Sequence, residues 1–345
     1  MANILVIRLS AIGDVAMTIP VIYNAAKANP SHSFTVLTQT FLTSLFINKP
    51  DNVQVQGIET KGKSFWWLLS FSFSLTKKGF TDVLDLHDVL RTKVIRVILQ
   101  IYGSSITIYR KDRESRSALT RQKNKVFKPL KPVIKQYEDV FRQAGFKYEE
   151  SFTSIFQDSP AKTLSFTSIT GEKANNIWIG IAPFAKHKGK CYSLELMEKV
   201  IKELSSKTTY RLFFFGARGK EEEMLAGWEG KYARTISTAG KLSLNHELAL
   251  ISCLDLLISM DSANMHFASL VNTPVLSIWG ATHPYAGFYG FRQKPSYIVQ
   301  QDLDCRPCSI FGDKVCYRKD WACLNNITLE RVIHKVEEII SQLQS

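Results

Sequence analysis

Short apolar, largely β-branched runs alternate with longer helix-like segments along nearly the whole chain. The predicted strands are residues 4–7, 34–37, 53–58, 82–86, 106–109, 178–181, 211–215, 255–259 and 275–279. The predicted helices are residues 15–28, 64–78, 91–102, 137–144, 194–205, 220–228, 245–253, 264–271 and 328–343. Runs that are apolar throughout are typical of strands buried on both faces. The alternation therefore predicts an α/β protein built on parallel sheets with helices on both faces.

The chain is long enough for two such domains. It has 345 residues, and a domain typically takes about 150. Residues 157–175 are rich in Ser, Thr, Lys and Pro and interrupt the alternation, as a linker does. We predict a first domain over residues 1–165, a second over 166–327 and a final helix over 328–345. Ligands of doubly wound sheets bind beyond the carboxyl ends of the strands, and we expect two such edges to face each other across a cleft.

The net charge of +13 is unevenly distributed. Residues 1–160 carry 22 Lys and Arg against 13 Asp and Glu, or +9, and the remainder carries 22 against 18, or +4. This indicates an anionic partner for the first half: nucleic acid, an anionic membrane or a phosphorylated substrate. Residues 110–135 hold ten basic and two acidic side chains. This segment is either a solvated, mobile loop or a clamp for an anionic substrate.

The sequence has neither a membrane-spanning run nor an N-terminal signal peptide, so we expect a cytoplasmic protein. Trp66 and Trp67 are either membrane-seeking aromatics or part of a core helix, and a core helix is favoured. In the cytoplasm, cysteines are more often thiols or metal ligands than disulfides. Four of them are close enough in sequence to bind one structural zinc, or they remain unliganded thiols. These are Cys305, Cys308, Cys316 and Cys323.

Polar residues follow the first predicted strand in a turn that contains Ser10, Gly13 and Asp14. The turn lies where ligands of such sheets bind, but it is not the glycine-rich loop of dinucleotide-binding proteins. Asp14 falls in the first turn of a helix. It is either a carboxylate stabilised by the helix dipole or a general base.

Further anion-binding candidates follow the strands of the second half. The strand ending near Asp261 leads directly into a helix, whose free N–H groups can bind a diphosphate; His266 is alternatively a structural histidine. Three lysines, Lys186, Lys188 and Lys190, follow the strand over 178–181. A glycine-containing turn beginning at Gly216 repeats the arrangement after the strand over 211–215.

Several of these motifs, taken in order, resemble one family. They are the opening residues 4–14 with Pro20, the lysine-rich loop ending at Lys190, the run MDSANMH over 260–266, the run IWGATHP over 278–284, and the late cysteines before a final helix. The chain resembles the ADP-heptose:lipopolysaccharide heptosyltransferases, the inverting glycosyltransferases of family nine. The resemblance implies the GT-B fold, with two Rossmann-like domains that bind the acceptor and the nucleotide sugar respectively.

The resemblance also implies roles for individual residues. Asp14 matches the general base, Lys190 the lysine that supports the leaving diphosphate, and Asp261 the aspartate that contacts the donor sugar. Lys186, Lys188 and Gly216 are further donor-binding candidates. The helix start that would hold the diphosphate comprises Ser262, Ala263, Asn264, Met265 and His266. The acceptor-binding candidates are Ser10, Gly13, Arg110, Arg113, Arg116 and Arg121. The chain departs from the family pattern at Ala263, where many members have Gly, and after Lys190, where Cys-Tyr follows.

The predicted function is inverting transfer of a heptose or related sugar from an ADP-sugar to an anionic glycolipid of the lipopolysaccharide-core type, at the inner membrane face. No cofactor is required, because a helix N-terminus and a lysine can stabilise a leaving diphosphate. Two alternatives are a nucleotide-sugar epimerase on a similar fold and a nucleic-acid-binding protein that uses residues 110–135. The sequence has no recognisable nucleic-acid module. A relative that binds sugar nucleotide without catalysis is a third.

Overall fold

The structure is a computed structural model that describes residues 1–161 and 166–344. It divides into two compact units. The first comprises Met1–Asp112 and Lys131–Ser159, and the second comprises Arg113–Leu130 and Pro160–Ser345. The predicted boundary at residue 165 lies outside the described residues. The prediction kept residues 113–130 in the first domain, whereas these residues cluster with the second unit.

The first unit is built on a five-stranded parallel sheet. Its strands are β1 (Asn3–Ile7), β2 (Ser33–Gln39), β3 (Val53–Ile58), β4 (Asp82–Asp85) and β5 (Ser105–Ile108). Their order in the sheet is β3-β2-β1-β4-β5. The strand order reverses between β1 and β4, which is where doubly wound sheets open a crevice for ligands.

Helices cover both faces of this sheet. They are α1 (Ile12–Ala28), α2 (Phe65–Thr76), α3 (Leu90–Ile101) and α5 (Val133–Gln143), while α4 (Arg113–Thr120) belongs to the second unit. Leu68 and Leu75 of α2 and Ile95 of α3 pack against buried residues of the strands. Burial of these side chains holds the α2–α3 pair on one face of the sheet.

The second unit contains a six-stranded parallel sheet. Its strands are β6 (Ile177–Ala182), β7 (Tyr210–Phe214), β8 (Thr235–Ser237), β9 (Leu256–Met260), β10 (Val275–Trp279) and β11 (Ile298–Gln300). Its helices are α6 (Thr167–Thr170), α7 (Leu194–Ser206), α8 (Lys220–Lys231), α9 (Leu244–Ile251), α10 (Ala263–Leu270), α11 (Ala322–Asn325) and α12 (Leu329–Gln344). The strand order is β11-β10-β9-β6-β7-β8, which reverses between β9 and β6.

The α/β prediction is confirmed, with two all-parallel sheets. Sequence analysis missed β8 and β11, each of three residues, because such short strands carry little periodicity. The interpretation of residues 110–135 as an irregular loop is wrong for α4 and for the start of α5. Leu119 of α4 is fully buried, so tertiary packing stabilises a helix that its charges obscured.

The prediction that Trp66 lies in a core helix is also wrong. Its helix, α2, forms as predicted, but the Trp66 side chain is 77% exposed. The spacing of apolar residues cannot distinguish the two faces of a helix that is apolar all round. Within the part of the chain that the structure describes, no helix is both long and apolar enough to cross a bilayer.

Asn24 ties the segment that follows α5 to α1 in the first unit. Its side chain is 1% exposed, and its Oδ1 accepts hydrogen bonds from the backbone amides of Ser151 (3.0 Å) and Phe152 (2.8 Å). Its Nδ2 donates to the Tyr148 hydroxyl at 3.1 Å. One buried amide therefore organises a stretch without regular secondary structure.

We expect Asn24→Ala to destabilise the protein by about 1–3 kcal/mol, because buried polar groups lose their partner. The free energy of unfolding from a urea titration measures the change. Asn245→Ala, at an exposed position of α9, is the matched control and should change it by less than about 0.5 kcal/mol. Equal effects of the two substitutions would contradict this role of Asn24.

Candidate active site

The first unit presents a carboxylate beside the point where its strand order reverses. Asp14 lies in the first turn of α1, and its side chain is 23% exposed. Its Oδ2 is 2.8 Å from Nη2 of Arg8 and accepts a hydrogen bond from the Ala11 amide at 3.2 Å. In the described part of the chain, no hydrogen bond or ion pair to Oδ1 is found. The carboxylate is thus fixed through one oxygen, which leaves the other able to accept a proton.

Arg8 is the residue that orients Asp14. It directly follows β1 and is 5% exposed. Its Nη1 donates to the carbonyl oxygen of Leu86, just beyond β4, at 2.6 Å, and its guanidinium lies 5.7 Å from the centre of the Tyr137 ring. Since β1 and β4 are hydrogen-bonded neighbours, a single guanidinium can span the ends of both strands.

His87 belongs to the same edge and was missed by sequence analysis. It is 9% exposed; its Nδ1 accepts from the Leu9 amide and its Nε2 contacts Oγ of Ser10, each at 3.4 Å. Burial, with the positive charges of Arg8 and Lys111, lowers the pKa of His87 to about 3. At neutral pH the ring is therefore uncharged. Because Nδ1 is the acceptor, Nε2 carries the proton and donates a hydrogen bond to Oγ of Ser10.

A buried carboxylate positions His87. Asp85, the last residue of β4, is fully buried, and its Oδ1 accepts from the amides of His87 and Asp88, each at 2.9 Å. Its Oδ2 lies 2.7 Å from Nη1 of Arg96, which also pairs with Asp88 at 3.0 Å. The turn after β4 is therefore fixed by charge-assisted hydrogen bonds. His87 joins this site because β4 lies beside β1 in the sheet. The sequence alone does not reveal which strands are neighbours, so it gave no signal for His87.

The second unit brings three side chains together at the ends of neighbouring strands. Lys190 follows β6, Asp261 follows β9 and Thr282 follows β10. The Lys190 ammonium is 3.0 Å from Oδ2 of Asp261, and the Thr282 hydroxyl donates to the same oxygen at 2.8 Å. Asp261 is 4% exposed. Sequence analysis predicted Lys190 and Asp261 as site residues but not Thr282, although Thr282 lies in one of the family-like motifs.

The structure distinguishes Lys190 from the other two lysines of its loop. The Lys190 side chain is 17% exposed, whereas Lys186 and Lys188 are exposed. The Lys188 ammonium lies 5.8 Å from the Trp321 ring centre. Of the three, it is Lys190 that forms an ion pair with Asp261 within the described ranges.

Close backbone approaches hold Lys190 in place. The Gly189 carbonyl accepts a hydrogen bond from the Ala281 amide at 2.7 Å. Gly312 has a φ of +75°, and a Cβ at this position would lie 2.6 Å from Cγ of Lys190. A larger residue at 312 would strain the backbone and displace the lysine stem.

The start of α10 lies beside Asp261. Ser262 is its N-cap residue and makes no side-chain capping hydrogen bond. Ser262, Ala263 and Asn264 are half-buried, whereas Met265 and His266 are buried. The backbone N–H groups of this first turn form an anion-binding arrangement. Direct ligand contact by the five residues stays a prediction.

The turn at Gly216 differs from the start of α10. Glu221 accepts from the Ala217 amide at 2.7 Å, and Glu222 accepts from the Gly219 amide at 3.2 Å. The carboxylates of α8 thus occupy N–H groups that a phosphate would need. A Cβ at Gly216 would lie 2.8 Å from Leu225, so close packing is one reason for glycine here. Donor binding by Gly216 stays a prediction.

The basic residues 110–135 are divided between the two units. Arg113, Arg116 and Arg121 lie in the part that clusters with the second unit, and Arg110 lies in the first. The Arg116 guanidinium lies 5.4 Å from the Phe288 ring centre. Acceptor binding by the four arginines, and by Ser10 and Gly13 of the first unit, stays a prediction.

The structure gives no support to the predicted zinc. Cys308, Cys316 and Cys323 are buried and Cys305 is half-buried, all as free thiols. Among the residues that are described, no group of three or more His, Cys, Asp or Glu side chains is arranged to hold a metal ion. Burial raises the pKa of Cys323 to about 12.

Two cations hold the cysteine segment instead. The Lys125 ammonium lies within hydrogen-bond distance, 2.8–3.2 Å, of four successive carbonyl oxygens, from residues 304 to 307, which share its three N–H groups. The Arg306 Nη2 donates to the carbonyl of Thr282 at 2.9 Å. Hydrogen bonds to backbone carbonyls thereby connect this segment to the loop that carries Thr282.

We expect His87 to make the protein less stable in acid. Its folded-state pKa of about 3 lies below the unfolded value, so between roughly pH 6.5 and 3 the unfolded state binds a proton that the folded state does not. Stability therefore falls as the pH is lowered through this window.

Urea titrations at pH 7 and pH 4.5 measure the effect. His87→Asn, whose oxygen can still accept from Leu9, should lose about 2 kcal/mol less between the two pH values than the native protein. His246→Asn, at an exposed site, should retain the native pH dependence. An unchanged acid loss in His87→Asn would refute a buried neutral His87.

Comparisons with known proteins show the family to which this chain is similar. The family model for glycosyltransferase family 9 (heptosyltransferase) matches residues 68–313. Lipopolysaccharide heptosyltransferase 3 of Escherichia coli is 22% identical over 276 residues, which cover 78% of this chain and 81% of that protein.

Two solved structures share the fold. A family 9 glycosyltransferase from Veillonella parvula superposes with a TM-score of 0.74 at 19% identity, over 99% of this chain and 98% of that one. The E. coli ADP-heptose lipopolysaccharide heptosyltransferase II gives a TM-score of 0.72 at 16% identity, over 99% and 100% of the two chains. Since the family model matches well over half of the chain, this protein belongs to glycosyltransferase family 9, the heptosyltransferase family.

Proposed function

We propose that this protein transfers a heptose or related sugar, with inversion, from an ADP-sugar to an anionic acceptor of the lipopolysaccharide-core type. Asp14 is the general base, and the observation that carries the proposal is its carboxylate, fixed by Arg8 through one oxygen. The names of the relatives motivate the sugar and the acceptor.

An inverting transfer is a single displacement. The acceptor hydroxyl must lose its proton as it attacks, so a base must present an oxygen in a fixed direction. Arg8 and the Ala11 amide hold Oδ2 of Asp14, and Oδ1 then takes the proton. His87, uncharged at neutral pH, orients Ser10 beside this base.

The second unit supplies positive charge for the leaving diphosphate. An ammonium has three N–H donors, so Lys190 can bind Asp261 and still donate to phosphate oxygens. The start of α10 adds backbone N–H groups and the positive end of a helix dipole. Charge that develops on the diphosphate is stabilised by these groups, without a divalent cation.

Asp261 is proposed to bind a hydroxyl of the donor sugar. Thr282 and Lys190 both contact its Oδ2. The carboxylate can therefore still accept a hydrogen bond from a sugar hydroxyl. Gly312 and Gly189 keep the lysine loop close enough for this pairing. The donor side thus depends on loops after three adjacent strands.

The basic first half of the chain is proposed to attract an acceptor that carries phosphates or acidic sugars. The reaction is proposed to take place on the cytoplasmic side, at the inner face of the membrane. The ten basic and two acidic side chains of residues 110–135 support an anionic acceptor. An epimerase would need further acid–base groups around the sugar, and nucleic-acid binding would leave Asp14 and Lys190 unused.

We expect ADP to bind more tightly than UDP or GDP, and Asp14→Asn to lower turnover by about 10²–10⁴-fold with little change in ADP affinity. The substitution preserves shape and removes basicity. Calorimetric titration measures nucleotide binding, and formation of the glycosylated product measures turnover. Asp51→Asn, at an exposed position, is the control and should keep native turnover. Near-native turnover in Asp14→Asn would disprove the assignment of the base.

We expect Lys190→Gln to weaken ADP binding by about tenfold to a hundredfold, since a charge-assisted hydrogen bond is lost. Glutamine can still donate to Asp261, which limits the structural effect. Lys186→Gln, at an exposed position of the same loop, should weaken binding less. Turnover should survive EDTA. A larger effect of Lys186→Gln, or activity that requires added Mg²⁺, would contradict the proposed support of the diphosphate.

A further inference from the structure

The outer surface of the α2–α3 pair is apolar and exposed. Its residues are Phe65 (59% exposed), Trp66 (77%), Phe73 (48%), Leu90 (78%), Val97 (50%), Ile101 (76%) and Tyr102 (62%). We refer to this set as the apolar face. Exposed large side chains gathered in this way are unusual for a surface that meets only water.

The seven residues form one continuous surface. On α3, Leu90, Val97 and Ile101 recur at helical spacing and so lie on one side. At one end the rings of Phe73 and Tyr102 meet with centroids 6.2 Å apart. At the other end the two helices share a pocket of about 190 Å³. Its lining includes Lys63, Phe65, Trp67, Leu90, Arg91 and Val94.

Both helices carry apolar side chains on their inner and on their outer sides. Leu68, Leu75 and Ile95 are at most 7% exposed and pack against the sheet. The inner face alone therefore accounts for how the pair is held in the fold. A helix that is also apolar on its outer side needs a second apolar environment.

The two segments that carry the apolar face contain basic but no acidic side chains. The sequence has no Asp or Glu between Glu59 and Asp82, or between Asp88 and Asp112. The same stretches carry exposed basic side chains at Lys61, Lys63, Lys77, Lys78, Arg91 and Lys93. Such a rim complements an anionic surface and repels another copy of itself.

We propose that the apolar face docks this protein on the surface of an anionic lipid bilayer. The aromatic rings enter the headgroup region, where Trp and Tyr are favoured. The surrounding lysines contact lipid phosphates. Lys63 and Arg91 stand at the shared pocket, which offers an apolar wall beside two cations to a lipid.

This inference names the surface for the membrane contact in the proposed function, and it rests on that part of the function alone. Vesicle binding is measured without donor or acceptor, whereas transfer is measured on a lipid-free acceptor. Vesicle binding without transfer would overturn the proposed reaction only. Transfer without vesicle binding would overturn the docking surface only.

The test is flotation of the full chain with vesicles of phosphatidylcholine alone or mixed with phosphatidylglycerol. We expect binding to the mixed vesicles, little binding to phosphatidylcholine, and weaker binding at higher salt because the charges are screened. Equal binding to both vesicle types, or no binding to either, would overturn the proposal.

Matched variants locate the surface. Trp66→Ser with Ile101→Ser, and separately Lys77→Gln with Lys93→Gln, should each lower binding to mixed vesicles by about tenfold or more. The controls are Phe311→Ser with Val315→Ser and Lys199→Gln with Lys202→Gln, all exposed in the second unit. They should bind as the native chain does.

Each remaining outcome counts against the proposal. Control variants that lose as much binding as the test variants would refute the apolar face as the site. If the native chain is an oligomer by light scattering and Trp66→Ser with Ile101→Ser makes it a monomer, a second copy covers this face and the proposal fails. Circular dichroism establishes that each variant is folded before it is compared.

Discussion

The strand order of each sheet reverses between two adjacent parallel strands, and the groups proposed for chemistry depend on that reversal. In the first unit β1 lies beside β4, and in the second β6 lies beside β9. Helices leave the two strands toward opposite faces, so the loops between them diverge and expose backbone N–H groups and side chains. Asp14 and His87 follow the first pair, and Lys190 and Asp261 follow the second.

Each of these groups is fixed by a partner that is itself buried. Arg8 bridges Asp14 and the end of β4, and Asp85 holds the turn that carries His87. Asp261 forms an ion pair with Lys190 and accepts a hydrogen bond from Thr282. Buried charges are costly unless paired and hydrogen-bonded. These pairs therefore restrict each side chain to one orientation, which a catalytic or phosphate-binding group requires.

The same fold leaves one surface chemically distinct from the rest. The α2–α3 pair uses its inner residues to cover the first sheet and presents Trp66 and Ile101 outward among basic side chains. The proposed acceptor is a glycolipid, so an affinity of this unit for lipid would bring base and acceptor to the same interface.

Much of the fold could be predicted from local sequence. The apolar runs of β1, β9 and β10 are typical of strands buried on both faces of a parallel sheet, and α12 has a clear amphipathic pattern. Asp14, Lys190 and Asp261 were candidates because they follow strands, at the edge of a parallel sheet where ligands bind. Their individual roles came from the resemblance to a family.

Other features depended on contacts between distant residues. His87 matters because β4 pairs with β1, and Thr282 because β10 pairs with β9; neither pairing is encoded locally. In the sequence Lys125 is one charge in a basic run, yet its ammonium lies among backbone carbonyls some 180 residues away in sequence. Trp66 has the same local pattern as a core residue, and only the position of the sheet decides which face of α2 is buried. Sequence by itself determined the elements and the edge at which chemistry occurs. The tertiary structure decided which side chains meet there, because strand order and helix facing are set by packing between segments that are far apart along the chain.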